Sequence, residues 1–301
     1  MYNAPLFFLA SPRSYTSLTF AMMGQHPEAY GFPELNLLVS DTLEGMLKQF
    51  KGKSQFQVHG LLRTVAQLYS GEQTRYSIEM AQRWINRRLY RSTGEIYIEL
   101  CEKIYPLRGV DKSPAYSSSS ESLHRILKTF PNAHFIHLVR HPRAQGNSAM
   151  KAGNEGRFAK MIKAYDYSSY PPVIDPQFKW LQVQKRITEF LKSVPEKQKL
   201  VLRGEDLLSE PEVYFQKISH WLGMEWNDEA FEAITHPQNS PFSGLGPVGA
   251  VLGNDGNFLR STGYKKRPIP PSSLDGPLAW RSDGKGFIPE VIQLAHEFGY
   301  D

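Results

Sequence analysis

The chain has 301 residues, 41% of them hydrophobic and 12% aromatic, ample for a large core. Its net charge of +5, from 35 basic and 30 acidic side chains, suits an anionic cofactor or carrier but includes no basic run long enough for a nucleic-acid surface. The one cysteine, Cys101, excludes an internal disulfide and a thiolate zinc site, and no stretch approaches the roughly 18 apolar residues of a membrane span. No basic leader precedes the first apolar run, so the expectation is a cytoplasmic protein in a reducing compartment.

Pro5 to Ala10 is an apolar run without periodicity, the pattern of a buried parallel strand. It stops at Ser11-Pro-Arg-Ser-Tyr-Thr-Ser-Leu18, and a helix-like apolar segment runs on to Met23. A strand, a hydroxyl-rich turn and a helix start form an anion site, because the first helical N–H groups are unpaired and the dipole adds positive potential. Arg13 adds a charged fork, and Ser14, Thr16 and Ser17 add hydroxyl donors. The same residue types also serve as plain helix caps. The turn lacks the Gly-Lys-Ser/Thr of a nucleoside triphosphatase loop.

From Leu35 to Arg91 the pattern is helical, broken at Lys51-Gly-Lys53 and Ser70-Gly-Glu72. Leu61, Leu62, Val65, Leu68 and Tyr69 recur near a period of 3.6 and mark a core-facing helix. His59 and Arg63 lie one turn apart near its start and read as solvated, a substrate contact being the other reading. The serines at 117–120 precede a helix expected over Glu121–Thr129. Ala133 to Arg140 is a second buried strand, broken at His141-Pro-Arg143 into a helix that carries Ser148, and His137 reads as a core residue. Lys151–Gln177 has little periodicity and reads as an irregular loop or lid. A strand and helix follow at Lys199–Leu207 and Pro211–Leu222, then a Gly- and Pro-rich stretch over 236–280, and helical spacing returns over Phe287–Phe298. This alternation predicts an α/β fold in a single domain over 1–301: a P-loop-type parallel β-sheet flanked by helices, with a helical insert and an irregular C-terminal loop region.

Ser11–Leu18 resembles the 5′-phosphosulfate loop of sulfotransferases that use 3′-phosphoadenosine 5′-phosphosulfate (PAPS), Thr/Val/Ser-Pro-Lys/Arg-Ser-Gly-Thr/Ser-Thr/Ser-Leu. Seven of eight positions match, with Tyr15 in place of glycine. The family holds the 3′-phosphate with a strand-end arginine and a serine eight positions on, the spacing of Arg140 and Ser148. His26-Pro-Glu-Ala-Tyr-Gly-Phe-Pro-Glu34 is similar to a stretch of membrane-type sulfotransferases whose glutamate, seven residues after the proline, is the catalytic base in the protein-tyrosine branch. Gly109-Val-Asp-Lys-Ser-Pro114 resembles an Asn-Lys-Asp/Ser-Pro segment whose lysine faces the sulfuryl group, with Asp111 replacing asparagine and Lys112 matching. Arg203-Gly-Glu-Asp-Leu207 resembles Arg-Tyr-Glu-Asp-Leu, with Gly204 replacing the aromatic residue. These motifs span about 5–225.

The resemblance implies a PAPS-dependent sulfotransferase that needs no metal. It casts Glu34 as general base and Arg13 and Lys112 as stabilisers of the transferring group. Arg13, Ser14, Tyr15, Thr16 and Ser17 would surround the 5′-phosphosulfate, and Arg140 and Ser148 would hold the 3′-phosphate. His26 and His59 stand next in line as bases. Lys265 and Lys266, with Arg267, either close over the 3′-phosphate or form a solvated turn. The segments Phe32-Pro-Glu-Leu-Asn-Leu-Leu38, Asp111-Lys-Ser-Pro-Ala-Tyr116 and Gly253-Asn-Asp-Gly-Asn-Phe258 are similar to sulfotransferase domains of bacterial polyketide pathways. They imply an acceptor hydroxyl on a β-hydroxyacyl chain held by a carrier protein, or on another natural product. A P-loop kinase is the alternative enzyme. A nucleotide-binding or carrier-docking module without catalysis is the non-enzymatic one, kept open by Tyr15 and Gly204.

Overall fold

In the computed structural model, residues 1–152, 157–266, 269 and 272–301 are described. The strands are β1 (Leu6–Leu9), β2 (Ala29–Gly31), β3 (Arg108–Asp111), β4 (His134–Val139), β5 (Tyr165–Asp166), β6 (Val173–Ile174) and β7 (Lys199–Arg203). Five of them form a parallel sheet in the order β2-β3-β1-β4-β7, while β5 and β6 make a separate antiparallel pair. All four residues of β1 are buried because this central strand is covered on both faces. Alternation sends Leu6 and Phe8 into one cluster, with Phe20, Met22, Leu138 and Phe215. Phe7 and Leu9 enter the other, with Phe32, Leu61, Val65, Tyr97 and Phe190.

The first face is covered by the helices Thr16–Met23 and Pro211–Leu222, the second by Pro176–Leu191 and the helical insert between β2 and β3. That insert comprises helices Leu43–Gln49, His59–Ser70, Arg75–Asn86 and Thr93–Lys103. Its boundaries follow from capping chemistry: Thr74 with Ser77 and Ser92 with Glu95 form reciprocal capping boxes. Ser119 caps the helix Ser120–Thr129, and Asp175 caps Pro176–Leu191. Among the described residues no helix is long and apolar enough to cross a membrane.

Two expectations change. Residues 151–177 are not irregular throughout, because they hold a short helix, Arg157–Met161, and the β5–β6 hairpin. Elements of five and two residues are too short to impose a period. Long-range pairing of Arg281 with Asp166 and Asp175 at 2.9 and 2.6 Å anchors the hairpin and the start of the next helix. The turn after His26 also contains β2, a three-residue edge strand. His137, by contrast, is a core residue, bonded to Gln184 Oε1 at 2.6 Å.

Because β1 and β4 are adjacent, the loops leaving their carboxyl ends meet. The helix Pro142–Lys151 starts there, with Pro142 in its first turn and His141 accepting a bond from Arg143 N.

Candidate active site

The loop after β1 places Arg13 at φ +71° and Tyr15 at φ +62°, both left-handed. Tyr15 is the N-cap of Thr16–Met23 and supplies no side-chain cap, so the helix start presents its N–H groups to a cavity of about 700 Å³. Arg13, Tyr15, Thr16, Ser17, Glu34, Lys112, Arg140 and Ser148 all line that cavity. Ser14 does not: it is fully buried in the loop, and its Oγ has no partner among the described residues.

Three cationic side chains organise the space. Lys112, 3% exposed, donates to a Glu34 carboxylate oxygen, to Asn254 Oδ1 at 2.8 Å and to Ser17 Oγ at 3.2 Å. Arg13 bonds Ser148 Oγ at 3.2 Å and Asp255 Oδ2 at 2.5 Å. Arg140 Nη1 donates to the Arg13 carbonyl at 2.7 Å, and its guanidinium carbon lies 3.9 Å from the centre of the Tyr15 ring. Arg140 Nε is buried without a partner among the described residues. Groups 135 residues apart, such as Arg13 and Ser148, thus share one cleft.

The family model for sulfotransferases matches residues 5–228. The chain belongs to the sulfotransferase family. A protein-tyrosine sulfotransferase of Drosophila melanogaster is 25% identical over 245 residues, a match covering 79% of this chain and 42% of that protein. Protein-tyrosine sulfotransferase A of Caenorhabditis elegans is 23% identical over a match covering 100% of this chain and 69% of that protein. The sulfotransferase domain from the curacin biosynthetic pathway superposes with a TM-score of 0.73 at 23% identity, covering 99% of this chain and 98% of that one. The sulfotransferase domain of the Synechococcus olefin synthase also gives 0.73, at 25% identity, covering 100% of this chain and 97% of that one.

The Glu34 segment is fixed from behind by backbone. Glu34 N donates to Gly253 O at 2.7 Å. Gly60 packs so closely that a Cβ there would stand 2.1 Å from Glu34 O, which only glycine avoids. His59 and Arg63 correct the expectation of solvated side chains. His59 Nδ1 accepts Leu252 N at 3.2 Å, and Arg63, 2% exposed, donates to the carbonyls of Gly244 and Leu252 and to Gln73 Oε1. Among the described residues the tail over 236–280 forms no strand ladder for its carbonyls, and a guanidinium with five donors satisfies several together.

Two site residues escaped the sequence reading: Asn254 and Asp255, which hold Lys112 and Arg13. Asp255 Oδ1 also caps the short helix Gly256–Arg260 through Asn257 N and Phe258 N. Their signal is the Gly253–Phe258 segment noted above for its resemblance to polyketide-pathway domains, which by itself assigns neither residue a role. His26 is not available as a base, since Nε2 donates to Glu225 O and Nδ1 accepts Glu28 N. Lys265 and Lys266 are exposed and do not line the cavity, and Arg267 lies outside the described residues. Among the described residues no group of three or more His, Cys, Asp or Glu side chains is placed to hold a metal ion.

Beneath Lys112, the fully buried Asp111 accepts from Ser113 Oγ at 2.8 Å and Tyr116 OH at 3.1 Å. Burial pushes its carboxyl up to about 7, against the opposing pull of these bonds and of Lys112. An unfolded aspartate titrates near about 3.9. Between these values the folded chain keeps a proton that the unfolded chain releases. The associated stability is therefore complete below about pH 4 and is lost as pH rises towards 7. Asp111→Asn removes this loss. Its melting temperature exceeds that of the wild type at pH 8 by more than at pH 5, and parallel pH profiles for the two proteins would refute the assignment.

Proposed function

We propose that the chain transfers the sulfuryl group of PAPS to an acceptor hydroxyl. The observation that carries this reading is the convergence of Arg13, Ser17, Lys112, Arg140 and Ser148 on one cavity at a helix N-terminus. The unpartnered Nε of Arg140, which lines the cavity, fits a ligand rich in acceptor oxygens. In this reading Arg13, Thr16 and Ser17 hold the 5′-phosphosulfate, with Ser14 and Tyr15 shaping the loop, and Arg140 and Ser148 hold the 3′-phosphate. The bound donor supplies the sulfuryl group and a phosphate leaving group. Lys112 neutralises charge developing between them, and Glu34 takes the acceptor's proton at its carboxylate. Position and electrostatics account for most of the catalysis, as in phosphoryl transfer.

The cavity lining also includes the apolar side chains of Phe56, Ala115, Phe158, Met161, Ile162 and Leu252. This favours a hydroxyl on an aliphatic chain. A β-hydroxyacyl chain on a carrier protein agrees with the curacin-pathway and olefin-synthase neighbours. A cytoplasmic setting suits the single buried thiol, Cys101.

Thermal denaturation with nucleotides tests the donor. The desulfated product, 3′,5′-adenosine bisphosphate (PAP), raises stability by about 2.7 kcal/mol at 100 times its Kd. AMP does far less, because it gives Arg140 and Ser148 nothing to hold. Arg140→Ala abolishes most of the difference, and equal shifts from PAP and AMP in the wild type would overturn the PAPS reading.

A further inference from the structure

Two departures from the sulfotransferase motifs lie far apart in sequence and meet in space. Tyr15 stands where the phosphosulfate loop has glycine, and Gly204 stands where the Arg-Tyr-Glu-Asp-Leu segment has its aromatic residue. A Cβ on Gly204 would lie 2.8 Å from Tyr15 Cδ2, closer than real side chains approach, and 3.4 Å from Val139 O. The ring of Tyr15 therefore fills the space that a side chain at 204 would enter.

We propose that these positions are a reciprocal exchange, in which the loop supplies the aromatic ring, and that Tyr15 is a positioning residue for Arg140. The second half rests on Arg140 as the 3′-phosphate contact. The ring face lies 3.9 Å from the guanidinium carbon and sets its plane, while the Arg13 carbonyl, 2.7 Å from Nη1, sets its rotation within that plane. The backbone of Arg140 is fixed separately, its carbonyl accepting Trp180 Nε1 at 2.9 Å. Glu205, next to Gly204, accepts His141 N at 3.1 Å and so ties the ends of β4 and β7 together. A glycine at 204 lets these two strand ends close on the loop with the ring between them. Tyr15 adopts φ +62°, a conformation that disfavours residues with a Cβ, so the loop keeps its glycine-like path despite the substitution.

The exchange makes the two positions interdependent. Gly204→Tyr alone places a second ring against the first and lowers the melting temperature. Tyr15→Gly alone removes the face beneath Arg140, weakens PAP binding about 3- to 30-fold, raises KM for PAPS and leaves kcat within a few-fold. The double variant Tyr15→Gly/Gly204→Tyr restores the family's own pair and recovers most of both losses. Tyr15→Phe keeps the ring face and loses only the hydroxyl's hydrogen bond with Arg140, so it retains most of the PAP affinity. Tyr15→Leu keeps apolar volume without an aromatic face, so it folds yet loses PAP affinity, and AMP binding changes little in either variant. Calorimetric titration of PAP and AMP, with melting curves for all five variants, reads these outcomes. Additive losses of stability in the double variant overturn the exchange, and unchanged PAP affinity in Tyr15→Leu overturns the positioning role. A wild type that treats PAP and AMP alike refutes the PAPS reading, while the coupling in melting temperature still tests the exchange alone.

Discussion

Glu34→Gln lowers turnover by about 10²- to 10⁴-fold while PAP affinity stays close to that of the wild type. The amide keeps the shape of the carboxylate and can still accept a bond from Lys112, the partner of Glu34 in the cavity. What it loses is the capacity to accept the acceptor's proton. The expectation is sharpened by what else lines the cavity. Among the described residues no histidine does, and Asp255 is the only other carboxylate, already engaged by Arg13 and by the helix it caps. Steady-state turnover and calorimetry on both proteins make the comparison. Near-normal turnover would pass the base role to Asp255 and remove Glu34 from the chemistry. A parallel loss of PAP affinity would instead make the Phe32–Glu34 turn a support for the cofactor loop.

Lys112→Met lowers turnover by about 10²- to 10³-fold, the usual effect of deleting a charge aimed at developing negative charge. The lysine is nearly inaccessible and is held by Glu34, Asn254 and Ser17, so the ammonium is oriented before any ligand arrives. Methionine fills much of the stem's volume and leaves Glu34 without its cation. Losses from Lys112→Met and Glu34→Gln should therefore combine to less than their product, because each variant also disables the other's partner. Turnover in all four combinations gives the coupling directly. Fully multiplicative losses would show that the two side chains act independently, contrary to the ion pair.

The parts of this molecule that could be read from sequence are those governed by local physics. β1 and β4 announce themselves because strands covered on both faces must be apolar throughout. The anion loop is legible because serine, threonine and arginine crowd one turn at a helix start. β2 is too short to show a period and exists because β3 offers it an edge. The burial of Arg63 is not legible because an arginine on a helix is ordinarily solvated, and nothing nearby in sequence reveals carbonyls 181 and 189 residues away. Asp255 reaches Arg13 across 242 residues for the same reason. Such pairings belong to the tail's path over the cavity, which has almost no regular structure to betray it.

The backbone packing behind Glu34 has a consequence for recombining this protein with its relatives. Gly60 belongs to the helical insert and Gly253 to the tail, yet a Cβ on Gly253 would stand 3.1 Å from Gly60 Cα, and both glycines contact the Glu34 backbone. Arg63 and His59 then bond that same tail. The insert and the tail therefore form a single cassette, although some 180 residues separate them. A chimera that takes residues 35–91 from another sequence without residues 244–255 leaves the Glu34 peptide unsupported, whereas one that moves both carries its own scaffold.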